Sequence, residues 1–189
     1  MSPAMKLVER STILDYVTYE EQREQLRACV LAEKARRRVH VGEHLTLLFE
    51  NRDTVRYQVQ EMVRIERIVK EADILHELET YNELLGGPGE LGATLLIEID
   101  DPQERARKLS EWMELPWRLY AELGDGERVY ARFDERQVGE ARLSAVHYVK
   151  FAVGGRTPVA IGCDLPGIDV RAVLRDEQRA ALAEDLVVR

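Results

Sequence analysis

The sequence predicts an α+β fold, in which N-terminal helices pack on a mostly antiparallel sheet and a C-terminal β-meander is followed by a closing helix. Three observations predict it. Between Phe49 and Leu85 apolar residues recur with helical spacing in two successive segments. From Trp117 onward the pattern changes to short β-prone stretches separated by turn residues such as Gly124-Asp125-Gly126 and Gly154-Gly155. A final stretch, Arg171 to Leu186, offers Ala172, Leu174, Ala181, Leu182 and Leu186 for helix packing. At 189 residues the chain is expected to form one domain over 1–189, with a helix-rich part at 1–115 and the meander plus closing helix at 116–189.

Residues 1–18 read as a lead-in whose Ile13, Leu14 and Val17 can pack onto the domain. Thr18 and Glu21 form a capping box that opens a helix to about Arg37, with Leu26, Cys29 and Val30 as its apolar stripe. Val39-His40-Val41, Gly42 and Leu45–Phe49 predict a turn and a short strand. Asn51 or Asp53 caps the next helix, whose Val55, Val59, Met62 and Val63 face the core. Asp73 caps another, with Ile74, Leu78, Tyr81 and Leu85 facing inward, and Gly86-Gly87-Pro88-Gly89 ends it. Ala93–Ile99 is apolar enough for a central strand, and Asp101-Pro102 opens a helix to Met113. Leu119–Leu123 and Arg128–Phe133 form a hairpin, and further strands are expected at Ser144–Val153 and Pro158–Cys163.

Bulk composition excludes several classes of function. A formal net charge of −8 opposes general duplex binding, which needs a basic face to displace counterions, so a nucleic-acid partner is not expected. The basic run Lys34–Arg38 falls at a predicted helix C-terminus, where the helix dipole favours cations. No segment approaches the ~20 apolar residues a bilayer span needs, so no membrane partner and a cytoplasmic location are expected. Cys29 and Cys163 stand alone in their segments and cannot build a cysteine-based zinc site or an iron–sulfur cluster within one chain; Cys29 is expected to be a core thiol.

The candidate site lies on the central helices. Their polar faces mix carboxylate, phenol, amide and guanidinium groups, whereas a simple solvated face needs only Lys, Glu and Arg. The protein's two asparagines, Asn51 and Asn82, fall at the two ends of this block. Asp53, Tyr57, Gln60 and Arg64 share one helical face, and Glu61 lies one step around from Gln60. The candidate ligand-binding set is therefore Glu50, Asn51, Arg52, Asp53, Tyr57, Gln60, Glu61, Arg64 and Asn82, lining a pocket with His76 or His44. If buried, these groups must satisfy one another or a ligand. The candidate ligands for a divalent metal are His44, His76 and Glu61, and Asp73 and His76 stand at i, i+3. His147 reads as a partly buried structural histidine, and Trp112 and Trp117 read as packing the helix onto the sheet. No GxSxG elbow or phosphate loop is present, and GGPGELG precedes a strand, the wrong order for a P-loop.

RRRV (36–39), GEHLTLLFENRDTVRYQVQEM (42–62), HELETYNEL (76–84), ATLLIEIDD (93–101) and SAVHYVKF (144–151) resemble a bacterial family of unknown function, DUF3501. The resemblance spans most of the chain and carries no activity. It implies a setting, because such proteins are often encoded beside a rubrerythrin-like diiron protein and an iron–sulfur protein similar to heterodisulfide reductase subunits. That setting suggests redox or oxidative-stress work. In this family His44 and FENRDT recur, which ranks His44 above His40.

Three functions follow as expectations. The first is a cytosolic accessory or binding protein that works with an iron–sulfur or rubrerythrin-like partner and has no cluster of its own. The second is a metal-dependent enzyme using His44, Glu50, Glu61, Asp73 and His76. The third is a structural polar network in a homo-oligomer.

Overall fold

Gly42 adopts a φ of +68°, which a non-glycine residue would strain to reach, and this reverses the chain between β1 (Arg38–Val41) and β2 (Leu45–Glu50). The computed structural model describes residues 7–187. β2 pairs antiparallel with β3 (Leu91–Ile97), and β3 with β6 (Val146–Phe151), so the first sheet runs β1-β2-β3-β6. The second sheet runs β5-β4-β7-β8 and is built from β4 (Leu119–Glu122), β5 (Arg128–Tyr130), β7 (Ala160–Leu165) and β8 (Ile168–Val173).

Strand alternation gives each sheet one apolar face. Val39, Val41, Leu45, Leu47, Phe49, Leu95 and Phe151 of the first sheet join Leu119, Ala121, Ile161 and Cys163 of the second in one buried core. An isolated bridge between Arg132 and Lys150 joins the chain beyond β5 to β6. The Gln137 side chain accepts from the Tyr148 backbone N–H at 2.8 Å and donates to its carbonyl at 3.2 Å. These contacts occupy backbone groups that an open edge strand would leave unpaired.

Helices cover the other face of the first sheet. α1 (Tyr16–Arg37) packs on α2 (Arg52–Ile65), which packs on α3 (Glu71–Asn82). Between them lies a second core of Val55, Val59, Val63, Ile74 and Leu78, completed by Val8 and Ile13. α3 ends close to β3, and any Cβ on Gly92 would overlap the Leu84 carbonyl oxygen. α4 (Pro102–Glu111), the short α5 (Leu115–Arg118) and α6 (Asp176–Leu186) complete the chain.

The α+β class holds, with several local corrections. Asp15 caps α1: its carboxylate accepts from the N–H groups of Val17 and Thr18 and from the Thr18 hydroxyl, which removes Thr18 from the capping position. α3 starts at Glu71, two residues before Asp73, and β3 spans Leu91–Ile97. Met62, Tyr81 and Leu85 are half-buried, and Tyr81 and Leu85 pack against the second core from its edge. Cys29 is exposed: the packed face of α1 runs Tyr19, Arg23, Leu26, Val30 and Arg37. The stretch expected as one closing helix from Arg171 splits into the end of β8 and then α6. The C-terminal strands do not form one continuous meander, since β6 crosses to pair with β3.

Candidate functional site

Asn51 caps α2. Its side-chain carbonyl accepts from the Thr54 N–H at 2.9 Å, while its own N–H donates to the Thr54 hydroxyl at 3.0 Å. Glu50, at the end of β2, accepts from the Thr54 hydroxyl and, at 2.7 Å, from the Thr94 hydroxyl of β3. This carboxylate therefore ties the helix start to the sheet. One turn further along α2, the Lys34 ammonium of α1 sits 5.0 Å from the Tyr57 ring centre. Burial lowers the Lys34 pKa, and the Glu50 carboxylate opposes that shift.

Glu61 is the best-satisfied acid of the stripe. It accepts from the Tyr19 hydroxyl at 2.7 Å, from Arg23 at 2.8 and 3.1 Å, and from Arg64 at 3.1 Å. Burial pushes its pKa up, but bonds from Arg23, Tyr19 and Arg64 prevail and hold it at about 2. Burial and the Glu61 bond raise the Tyr19 phenol. Gln60 is buried, and both ends of its amide engage the Leu14 backbone, accepting at 2.9 Å and donating at 2.8 Å. Asn82 does the same for Val8, at 2.8 and 3.1 Å. Arg52 and Asp53 are exposed on the first turn of α2. The stripe thus divides into a sheet-linked cap, an α1–α2 ion network and two amide contacts to the leading segment. Tyr57 and Gln60 also line a concavity of about 200 Å3 with Leu14, Tyr19 and Val30.

The three candidate metal ligands occupy separate surroundings. His44 Nε2 lies 2.7 Å from the Lys108 ammonium, which occupies the lone pair a metal would need; the ring also stands 5.8 Å from Trp112. His76 is exposed and lines a shallow concavity of about 410 Å3 with Asp73, Lys70 and Glu77. Glu61 is taken up by Tyr19 and the two arginines. Among the described residues no three or more His, Cys, Asp or Glu side chains are grouped to hold a metal ion.

A larger cleft, about 580 Å3, opens between the end of α3 and β6. Tyr81 and Leu84 form one wall, Tyr148 and Lys150 the other, and Arg132 and Phe133 reach in from beyond β5. Tyr148 is 44% exposed, and desolvation together with Tyr81 and Glu50 raises its phenol pKa. Arg132 is paired with Glu90, and Asp134 is held at about 2 by Arg136. Lys150 has no ion pair among the described residues, which leaves a cation on the same wall as Tyr148, facing a cleft that Tyr81 also lines.

The sequence reading missed Tyr148, Lys150 and Arg132 because they sit on a strand and a loop far from the central helices. The alternation of SAVHYVKF could have placed Tyr148 and Lys150 on one face. It also missed Arg37, 2% exposed, which donates to Asp185 at 2.8 and 2.9 Å and pairs with Glu33. Part of the basic run thus docks α1 onto α6, since Arg36 also reaches Glu184 at 2.9 Å. His147 is fully buried; its Nε2 meets the Ser144 carbonyl at 2.9 Å and its Nδ1 has no partner. Trp117 is 42% exposed and stands edge-on to Phe133.

Fold and site together define an α+β scaffold of two facing antiparallel sheets, with a helical layer on one of them and an open cleft at its margin. The chain belongs to the DUF3501 family, described as proteins of unknown function, whose model matches residues 7–186. A crystal structure of a protein of unknown function from Burkholderia pseudomallei K96243 is similar, with 35% identity and a TM-score of 0.87, covering 97% of this chain and 100% of that one. No curated protein matches. No helix among the described residues is long and apolar enough to cross a membrane.

Proposed function

We propose that this chain is an accessory or binding protein that engages its partner through the α3–β6 cleft. The observation that carries this reading is Lys150, which has no ion pair among the described residues and lines the open cleft beside Tyr148 and across from Tyr81. Such a site suits an acidic side chain or other anionic group attached to a planar or apolar body. The partner is a redox protein of the iron–sulfur or rubrerythrin-like class. Support for that class comes from the setting the family resemblance implies. The test is binding of the immobilised chain to such a partner, under oxidising and reducing conditions. Lys150→Glu and Tyr148→Ala should each weaken binding at least tenfold. Unchanged binding in both variants refutes the cleft, and no binding by the parent refutes the partner class.

A second reading applies to the α2 stripe. Four donor contacts on Glu61 and the two-ended bonds of Gln60 and Asn82 favour a structural network there. Among the described residues no grouping of three or more His, Cys, Asp or Glu side chains supports the metal-dependent enzyme. The network reading is tested by Glu61→Gln and Gln60→Ala, whose cellular effect should match their loss of stability. A functional loss with no loss of stability would return the stripe to the list of binding sites.

A further inference from the structure

Residues 8–14 lie against α2 and α3 in the manner of a bound peptide. Among the described residues, their hydrogen bonds to the rest of the chain run through side chains. Asn82 grips both backbone groups of Val8, and Gln60 grips both backbone groups of Leu14. Between these contacts Arg10–Thr12 makes a single 3-10 turn, and Arg10 lies against Glu71 at 2.8 and 2.9 Å. Val8 and Ile13, 4% and 5% exposed, insert into the second core. A side-chain amide that pairs with a backbone amide reads main chain rather than sequence. The two apolar sockets then supply selectivity, the division of labour found in peptide-binding grooves.

We propose that the α2–α3 groove is a peptide-binding site that takes residues 8–14 of a second copy of this chain, which makes the segment an exchangeable element for self-association. The occupant follows from complementarity already present. The two amide grips, the Arg10–Glu71 pair and the two apolar sockets are all met by this segment, so an identical segment from another copy can make the same contacts. Asp15, extended at φ −63° and ψ 157°, separates the segment from α1 and is where the path would diverge. This inference does not depend on the α3–β6 cleft.

The test uses the full chain. Two preparations carrying donor and acceptor dyes are mixed and followed by energy transfer, with and without excess synthetic peptide spanning residues 7–15. The expected result is a slowly rising transfer signal that the peptide abolishes. No transfer, or transfer insensitive to the peptide, overturns the proposal. A second arm mixes Gln60→Ala/Asn82→Ala chains with Val8→Asp/Ile13→Asp chains. One retains the segment and the other the groove, so only their mixture should show a species of doubled mass. Absence of that species while both variants melt cooperatively refutes exchange, as does self-association of the Val8→Asp/Ile13→Asp chain alone. Hydrogen exchange on the parent chain completes the set and needs no variant. The Val8 and Leu14 amides should exchange at least tenfold faster than those of Val59 and Val63; equal rates, meaning that the segment opens only with the whole fold, would overturn the proposal of an exchangeable element.

Discussion

Replacing Glu61 with Gln keeps the shape of the side chain and removes its charge from the contacts with Tyr19, Arg23 and Arg64. The carboxylate titrates at about 2 in the folded chain against an ordinary 4.5. That gap corresponds to about 3 kcal/mol of stability at neutral pH before solvent screening. Arg23 and Arg64 are 29% and 25% exposed, so solvent screening reduces the expected effect to about 2 kcal/mol. The sign follows from the direction of the shift. A carboxylate with a depressed folded pKa contributes its full stability above 4.5, and loses it as pH falls toward 2. Urea unfolding of the parent and Glu61→Gln should therefore differ by about 2 kcal/mol at pH 7, and the difference should shrink steadily between pH 5 and pH 2. A difference that is absent at pH 7, or that stays constant over this range, refutes the assignment of Glu61 as an ionised hub.

Val59 is fully buried between α2 and α3, so Val59→Asp should prevent cooperative folding, as seen by circular dichroism, because an unpaired buried charge costs several kcal/mol. Gln60→Ala strands the N–H and carbonyl of Leu14 and should cost about 2 kcal/mol in urea unfolding. Burial lowers the pKa of His147, against the opposing bond to Ser144. Its contribution to stability is therefore complete above 6.5 and declines as pH falls below it, a slope that His147→Gln should remove from the stability–pH profile. The purified chain should show no visible absorption from a flavin, haem or cluster, and a stoichiometric chromophore retained through mild purification would contradict this.

The sequence by itself determined the local elements whose signals are local. Asn51 with Thr54 caps α2 through groups three residues apart, and Gly42, at φ +68°, marks the reversal between β1 and β2. The core positions Val55, Val59, Ile74 and Leu78 follow from helical period, because burial is periodic wherever one face is apolar. The mixed polarity of the α2 face was also legible, but the partners of its side chains were not. Tertiary structure alone decided that Glu61 meets α1, that Gln60 and Asn82 hold residues 14 and 8, and that Glu50 binds Thr94 on another strand. It alone sent β6 to the first sheet, carrying Tyr148 and Lys150 to the margin of α3. Each of these contacts joins residues 38 or more positions apart, and backbone propensity acts over only a few residues. Which distant surfaces meet is set by how two apolar sheet faces and one helical layer exclude water together, a property of the whole chain.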